Sequence, residues 1–221
     1  MLFSRTSRRK TQKGVRYEGA ENSKRCEQYH FKRKIYQQLR DWKEKRNGEV
    51  ALLVEGARRI GKSYIVEEFA KNEYESYILI DFNKAPQMVR DWFDLYLEDL
   101  DTLFLYLSQH YKVRLHERKS LIILDEIQLC LRARVAIKFL VADRRYDYIE
   151  TGSLVSIKKN TQGIVLPSEE RSIQMQPIDF EEFLWATGND MLMDLIKKCL
   201  QRKSRWDRLF IVRQWMLSVS I

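Results

Sequence analysis

The segment VALLVEGARRIGKSYIVEEF, residues 50–69, restricts the fold more than any other stretch of the chain. It opens with a short apolar run, the pattern of a parallel strand covered on both faces. It closes with SYIVEEFAKN, which alternates apolar and polar residues at helical spacing. Between these, Gly56-Ala57-Arg58-Arg59-Ile60-Gly61-Lys62-Ser63 fits the pattern G-x-x-x-x-G-K-[ST]. Gly56 and Gly61 permit backbone angles and close approach that a Cβ blocks. Successive backbone N–H groups, helped by the positive end of the following helix, then face inward on phosphate groups. Lys62 adds a full charge there, and the Ser63 hydroxyl is placed to ligate Mg²⁺. The candidate nucleotide-binding stretch is Gly56, Ala57, Arg58, Arg59, Ile60, Gly61, Lys62, Ser63 and Tyr64. Within it, Arg58 and Arg59 suit either phosphate or a partner.

The rest of the chain reads as strands alternating with helices. FKRKIYQQLRDWKEK places Phe31, Ile35, Leu39 and Trp42 at helical spacing, with Asn47-Gly48 as the stop. YESYILIDF (74–82), KSLIILDEIQ (119–128), RYDYIETGSL (145–154) and RSIQMQPI (171–178) read as strands. Residues 88–111 carry Leu, Phe, Trp and Tyr at helical spacing and predict one or two packed helices. RVAIKFLVAD (134–143) and MLMDLIKKCL (191–200) predict further helices. The expected fold is α/β, a mostly parallel sheet with helices on both faces in three layers.

Two further segments carry candidate chemistry. A buried strand ending in Asp125-Glu126 delivers two carboxylates to the carboxyl edge of the sheet, where open α/β sheets bind ligands. There Asp125 holds Mg²⁺ through water and Glu126 polarises an attacking water, which favours hydrolysis over transfer to a small molecule. In YIETGS, Thr151 and Ser153 are expected just beyond a strand, within reach of the γ-phosphate or the water, with a plain turn as the alternative. Gln128 is a second candidate for the same contact.

The net charge of +9 is unevenly spread. Residues 1–48 hold 15 lysines and arginines against 5 acids, and the remainder is close to neutral. The arm SRRKTQKGVR (7–16) is suited to nucleic acid or anionic lipid, or is a solvated terminus with no ligand. Cys26, Cys130 and Cys199 lie too far apart for a disulfide framework or a zinc site, and His30, His110 and His116 add no ligand cluster. No window has the apolar length of a membrane span, and no apolar stretch follows the basic start as a secretory signal requires. A cytoplasmic protein is expected.

The order of phosphate loop, Asp-Glu strand and Thr-Gly-Ser resembles AAA-type ATPases, in the P-loop class that carries an extra strand between the two nucleotide motifs. GARRIGKS, LDEIQ, ETGS and PIDFEEFL (177–184) together look like a prokaryotic family of AAA-like ATPases. The resemblance implies a P-loop NTPase fold, ATP and Mg²⁺ as cofactors, and catalytic roles for Glu126 and for Ser153, the latter at the sensor 1 position. It divides the chain into a basic arm (1–28), an AAA-like core (29–190) and a short helical or irregular tail (191–221). Relatives continue past FEEFL into a helical and then a C-terminal domain. The tail after Lys203 does not resemble that continuation, so it is expected to be truncated, frameshifted or divergent, and no arginine finger is assigned. Expected partners are ATP, a protein partner or second copy, and, through the arm, nucleic acid. The leading reading is an ATPase that cleaves the β-γ bond with a Glu-activated water. The alternative is a nucleotide-dependent switch that scarcely hydrolyses, with a small-molecule kinase as a third, disfavoured reading.

Overall fold

The computed structural model describes residues 32–46, 48–153 and 169–202. The basic arm, on which the nucleic-acid expectation rests, and the tail beyond residue 202 lie outside the described residues, as do Phe31, Asn47 and Leu154. In chain order the elements are α1 (Ile35–Arg46), β1 (Ala51–Gly56), α2 (Lys62–Glu73), β2 (Ser76–Asp81), α3 (Gln87–Leu95), α4 (Leu100–Tyr111), β3 (Ser120–Asp125), α5 (Leu131–Asp143), β4 (Asp147–Ser153), β5 (Glu170–Met175), α6 (Phe180–Ala186) and α7 (Asp190–Arg202). A 3₁₀ turn, Ile127–Leu129, joins β3 to α5.

The five strands form one parallel sheet in the order β2-β3-β4-β1-β5. Alternation along β1 explains the three layers, since side chains on a strand point to opposite faces. Ala51 and Leu53 pack with Ile78, Ile80, Ile122, Leu124 and Tyr148 under α3, α4 and α5. Leu52 and Val54 pack with Leu121, Ile123 and Ile149 under α1 and α2, where Leu39, Trp42, Val66 and Phe69 meet them. The expected α/β P-loop fold with helices on both faces is therefore what the chain forms, and β4 is the extra strand between β1 and β3.

Two local expectations are corrected. The third strand ends at Asp125 instead of running to Gln128, because Glu126 takes a left-handed conformation (φ 54°) and turns the chain into the 3₁₀ segment. Thr151 and Ser153 lie inside β4, not beyond it, because β1 pairs alongside through Ser153. The DFEEFLWATG stretch (179–188) also forms a helix, α6. Asp179 caps that helix by accepting from the Glu182 N–H, and the Glu182 carboxylate accepts in return from the Asp179 N–H. No helix among the described residues is long and apolar enough to cross a membrane.

The sheet also buries charge. Glu150 on β4 and Glu170 on β5 share one arginine, Arg134 of α5, with Arg134 Nη1 3.5 Å from Glu150 and Nη2 3.0 Å from Glu170. Glu150 is fully buried and neither of its oxygens has a hydrogen-bond partner among the described residues. Burial, and then Glu170, push its carboxyl well above the usual range, with Arg134 opposing. A carboxyl whose folded pKa is raised stabilises fully below its unfolded value, about 4.3, and that contribution is lost as pH rises toward the folded value. Wild type should therefore lose stability relative to Glu150→Gln by up to about 1.4 kcal/mol per pH unit above pH 5. Thermal midpoints of the two proteins at pH 5, 6, 7 and 8 check this, and a constant difference would refute it.

Candidate functional site

The carboxyl edge of the sheet brings together residues that the sequence scatters over ninety positions. Register places Gly56 between Ser153 of β4 and Met175 of β5, and places Asp81 beside Asp125. A Cβ on Gly56 would fall 2.5 Å from the Met175 carbonyl oxygen and 2.9 Å from Ile60, so only glycine lets the chain leave β1 this close to β5. Gly61 then turns the chain into α2 with φ 89° and ψ 25°, in the left-handed region, and Arg59 is also left-handed. The first turn of α2 contains no acid, so the partial positive charge of its free N–H groups is not offset there.

Lys62 is the first residue of that helix and is 6% exposed. Its ammonium donates to the carbonyls of Ala57 (2.8 Å) and Gly56 (3.2 Å), folding the side chain back over its own loop. Burial pulls its pKa below the ordinary lysine value, Glu126 and Asp125 counter that, and Arg58 adds to it. Next along the helix, the Ser63 hydroxyl donates to Asp125 Oδ1 at 2.8 Å. The Thr151 hydroxyl donates to the same oxygen, and at 3.4 Å Thr151 Oγ1 also accepts from the Glu126 N–H. Two hydroxyls on one carboxylate oxygen fix its direction, which is what a metal-orienting aspartate needs.

Glu126 is partly exposed beyond Asp125, and its left-handed backbone swings it out of the strand direction. Gln128, buried in the 3₁₀ turn, donates its amide N–H to the Glu126 carboxylate. Ser153 is buried at the end of β4 next to Gly56. Ala57, Arg58, Arg59 and Tyr64 are exposed on the loop and the first helical turn, and Ile60 is half-buried. Among the described residues there is no group of three or more His, Cys, Asp or Glu able to hold a metal by itself. Two oxygen donors, Ser63 and Asp125, suit an ion such as Mg²⁺ that keeps several waters and takes its other ligands from phosphate.

A family model described as an AAA domain matches residues 49–184, more than half of the chain. The chain belongs to the AAA domain family. The match spans β1 to α6 and so contains the whole edge just described. No curated protein matches the sequence. Among solved structures, the chain is similar to C. elegans PCH-2 at 16% identity, covering 76% of this chain and 43% of that one, with a TM-score of 0.33. It is also similar to a DNA replication initiation factor at 12% identity, covering 80% of this chain and 53% of that one, again with a TM-score of 0.33. The chain thus spans about half the length of each, and membership of the AAA domain family rests on the family match alone.

Two contacts carry no mark in the sequence. The hydroxyl of Thr151, the candidate for the γ-phosphate or the water, donates to Asp125. Arg33, ahead of α1, reaches the loop itself by donating to the Ile60 carbonyl at 3.0 Å. No local pattern marks either contact, because each joins residues more than twenty positions apart.

Proposed function

We propose that this AAA domain binds Mg-ATP at the carboxyl edge of its sheet and cleaves the β-γ bond. One observation carries the proposal: the Ser63 hydroxyl sits on Asp125, 62 residues away, beside a desolvated Lys62 at the mouth of a left-handed glycine turn. In this reading the loop amides and Lys62 take the phosphates, Ser63 and Asp125 hold magnesium, and Glu126 orients the attacking water. Ser153 faces the γ-phosphate from the end of β4. Bound magnesium would draw charge from the phosphate oxygens. The quoted motifs support a narrower likeness to the prokaryotic AAA-like ATPases, and on that likeness the chain works with a protein partner or further copies.

A second reading, a nucleotide-dependent switch with little intrinsic hydrolysis, is favoured by the Gln128 amide on the Glu126 carboxylate. A base engaged by an amide is held from the water it must accept a proton from. Wild type that retains Mg-ATP without releasing phosphate supports this reading.

The test of the binding site uses magnesium as its variable. Wild type should bind a fluorescent ATP analogue at least about tenfold more tightly with Mg²⁺ than with EDTA. Ser63→Ala should lose most of that difference while keeping its EDTA affinity, since a tenfold change corresponds to about 1.4 kcal/mol for one metal contact. Equal magnesium dependence in the two proteins would remove Ser63 from the metal site.

A further inference from the structure

We infer that Arg33 is a positioning residue that aims the phosphate loop, although it lies upstream of the residues the family model matches. Its guanidinium spans three segments. Nη1 donates to the Ile60 carbonyl at 3.0 Å, and Nη2 donates to the Gln176 carbonyl, just past β5, at 2.7 Å. Nε lies 3.2 Å from the Glu182 carboxylate on α6, with the two side chains 6% and 5% exposed. Glu182 is itself fixed, because it closes the α6 capping box and accepts from the Lys34 N–H at 2.7 Å. The arginine is therefore anchored on the far side from the loop and extends one N–H into it.

That one bond sets a peptide plane. In a trans peptide the C=O and the following N–H point in opposite directions. Holding the Ile60 carbonyl on Arg33 therefore turns the Gly61 N–H to the other side. Gly61 is left-handed, and a Cβ there would sit 3.9 Å from the Arg33 Nη1. Arg33 thus packs against the residue whose conformation opens the loop into α2. A planar guanidinium suits this task because it donates along several fixed directions, whereas a lysine ammonium is a single point charge. The inference concerns loop order, and its effect on ATP rests on the function proposed above.

The test compares Arg33→Lys with Glu182→Gln by hydrogen exchange of the ligand-free protein. Lysine keeps the charge facing Glu182 but cannot reach all three partners. In Arg33→Lys, exchange in a peptide covering residues 56–63 should rise at least about fivefold while β3 stays as in wild type. Glu182→Gln keeps both carbonyl contacts, so it should lower the thermal midpoint with little change in loop exchange. Arg33→Lys should also weaken Mg-ATP about tenfold while AMP, which lacks the β- and γ-phosphates, changes less than twofold. Unchanged loop exchange in Arg33→Lys, or equal loosening everywhere in both variants, overturns the inference. If the loop loosens as expected but wild type binds no Mg-ATP, the positioning role stands and the nucleotide reading fails.

Discussion

Lys62→Ala should weaken Mg-ATP binding by about 10- to 150-fold and leave the ligand-free protein no less stable than wild type. The first half follows from charge: a lysine donating to phosphate makes a charge-assisted hydrogen bond in a water-poor cleft, and such bonds contribute about 1.5–3 kcal/mol each. The second half follows from where the ammonium sits without ligand. It is buried against two carbonyls of its own loop, and burial disfavours its charged form. Removing a charge that folding has to desolvate does not weaken the fold. On the proposed function, phosphate reverses the balance by adding an anion to the partial compensation that Glu126 and Asp125 give. Titration with a fluorescent ATP analogue, beside thermal melts without nucleotide, measures both halves. Affinity equal to wild type would show that the loop does not hold phosphate through Lys62. A large fall in the ligand-free midpoint would show that Lys62 is structural.

The strands and the loop were legible because their signals are local. β1 is a continuous apolar run closed by glycine, so burial on both faces and the exit into a turn are written within seven residues. The same holds for Ser120–Asp125, every residue of which is buried. The apolar pattern runs on past the true strand end at Asp125 because Ile127 resembles one more buried strand residue. It is buried, but it packs beneath α3–α5 from a 3₁₀ turn that the left-handed Glu126 creates. The start of α6 is legible as the capping pattern Asp179-x-x-Glu182. Contacts such as Arg33 to Ile60, Thr151 to Asp125 and Arg134 to Glu150 have no local signature. Thr151 reaches Asp125 because β4 pairs beside β3, and strand order is a property of the whole chain.

Position separates the two carboxylates of the site. Asp125 belongs to β3, is buried, and accepts from Ser63 and Thr151, so its oxygen is already directed by the protein. Glu126 has left the strand and is held by Gln128 alone among the contacts described for its carboxylate. The arrangement suits a fixed metal ligand beside a base whose engagement can change. On the proposed function it also separates the consequences of mutating each residue: loss of Asp125 should remove a magnesium ligand together with the hydrogen bonds from Ser63 and Thr151, whereas loss of the Glu126 charge should leave the binding surface standing.

Glu126→Gln should therefore bind Mg-ATP within about threefold of wild type and cleave it at least about 100 times more slowly in a single turnover. A general base contributes roughly 10² to 10⁴ in rate, and glutamine keeps the shape of glutamate and one acceptor oxygen for the Gln128 amide while losing the ability to take a proton. The left-handed turn and the Glu126 N–H to Thr151 contact are backbone features that the substitution leaves in place, so Asp125 keeps its direction. Acid-quenched single-turnover formation of labelled phosphate, with enzyme in excess over Mg-ATP, reads the chemical step without product release intervening. A variant as fast as wild type would remove Glu126 from the chemistry. If both proteins bind Mg-ATP and neither cleaves it, the Gln128 contact becomes the feature to explain, because a base held by an amide leaves the domain a switch whose hydrolysis waits for something to release Glu126.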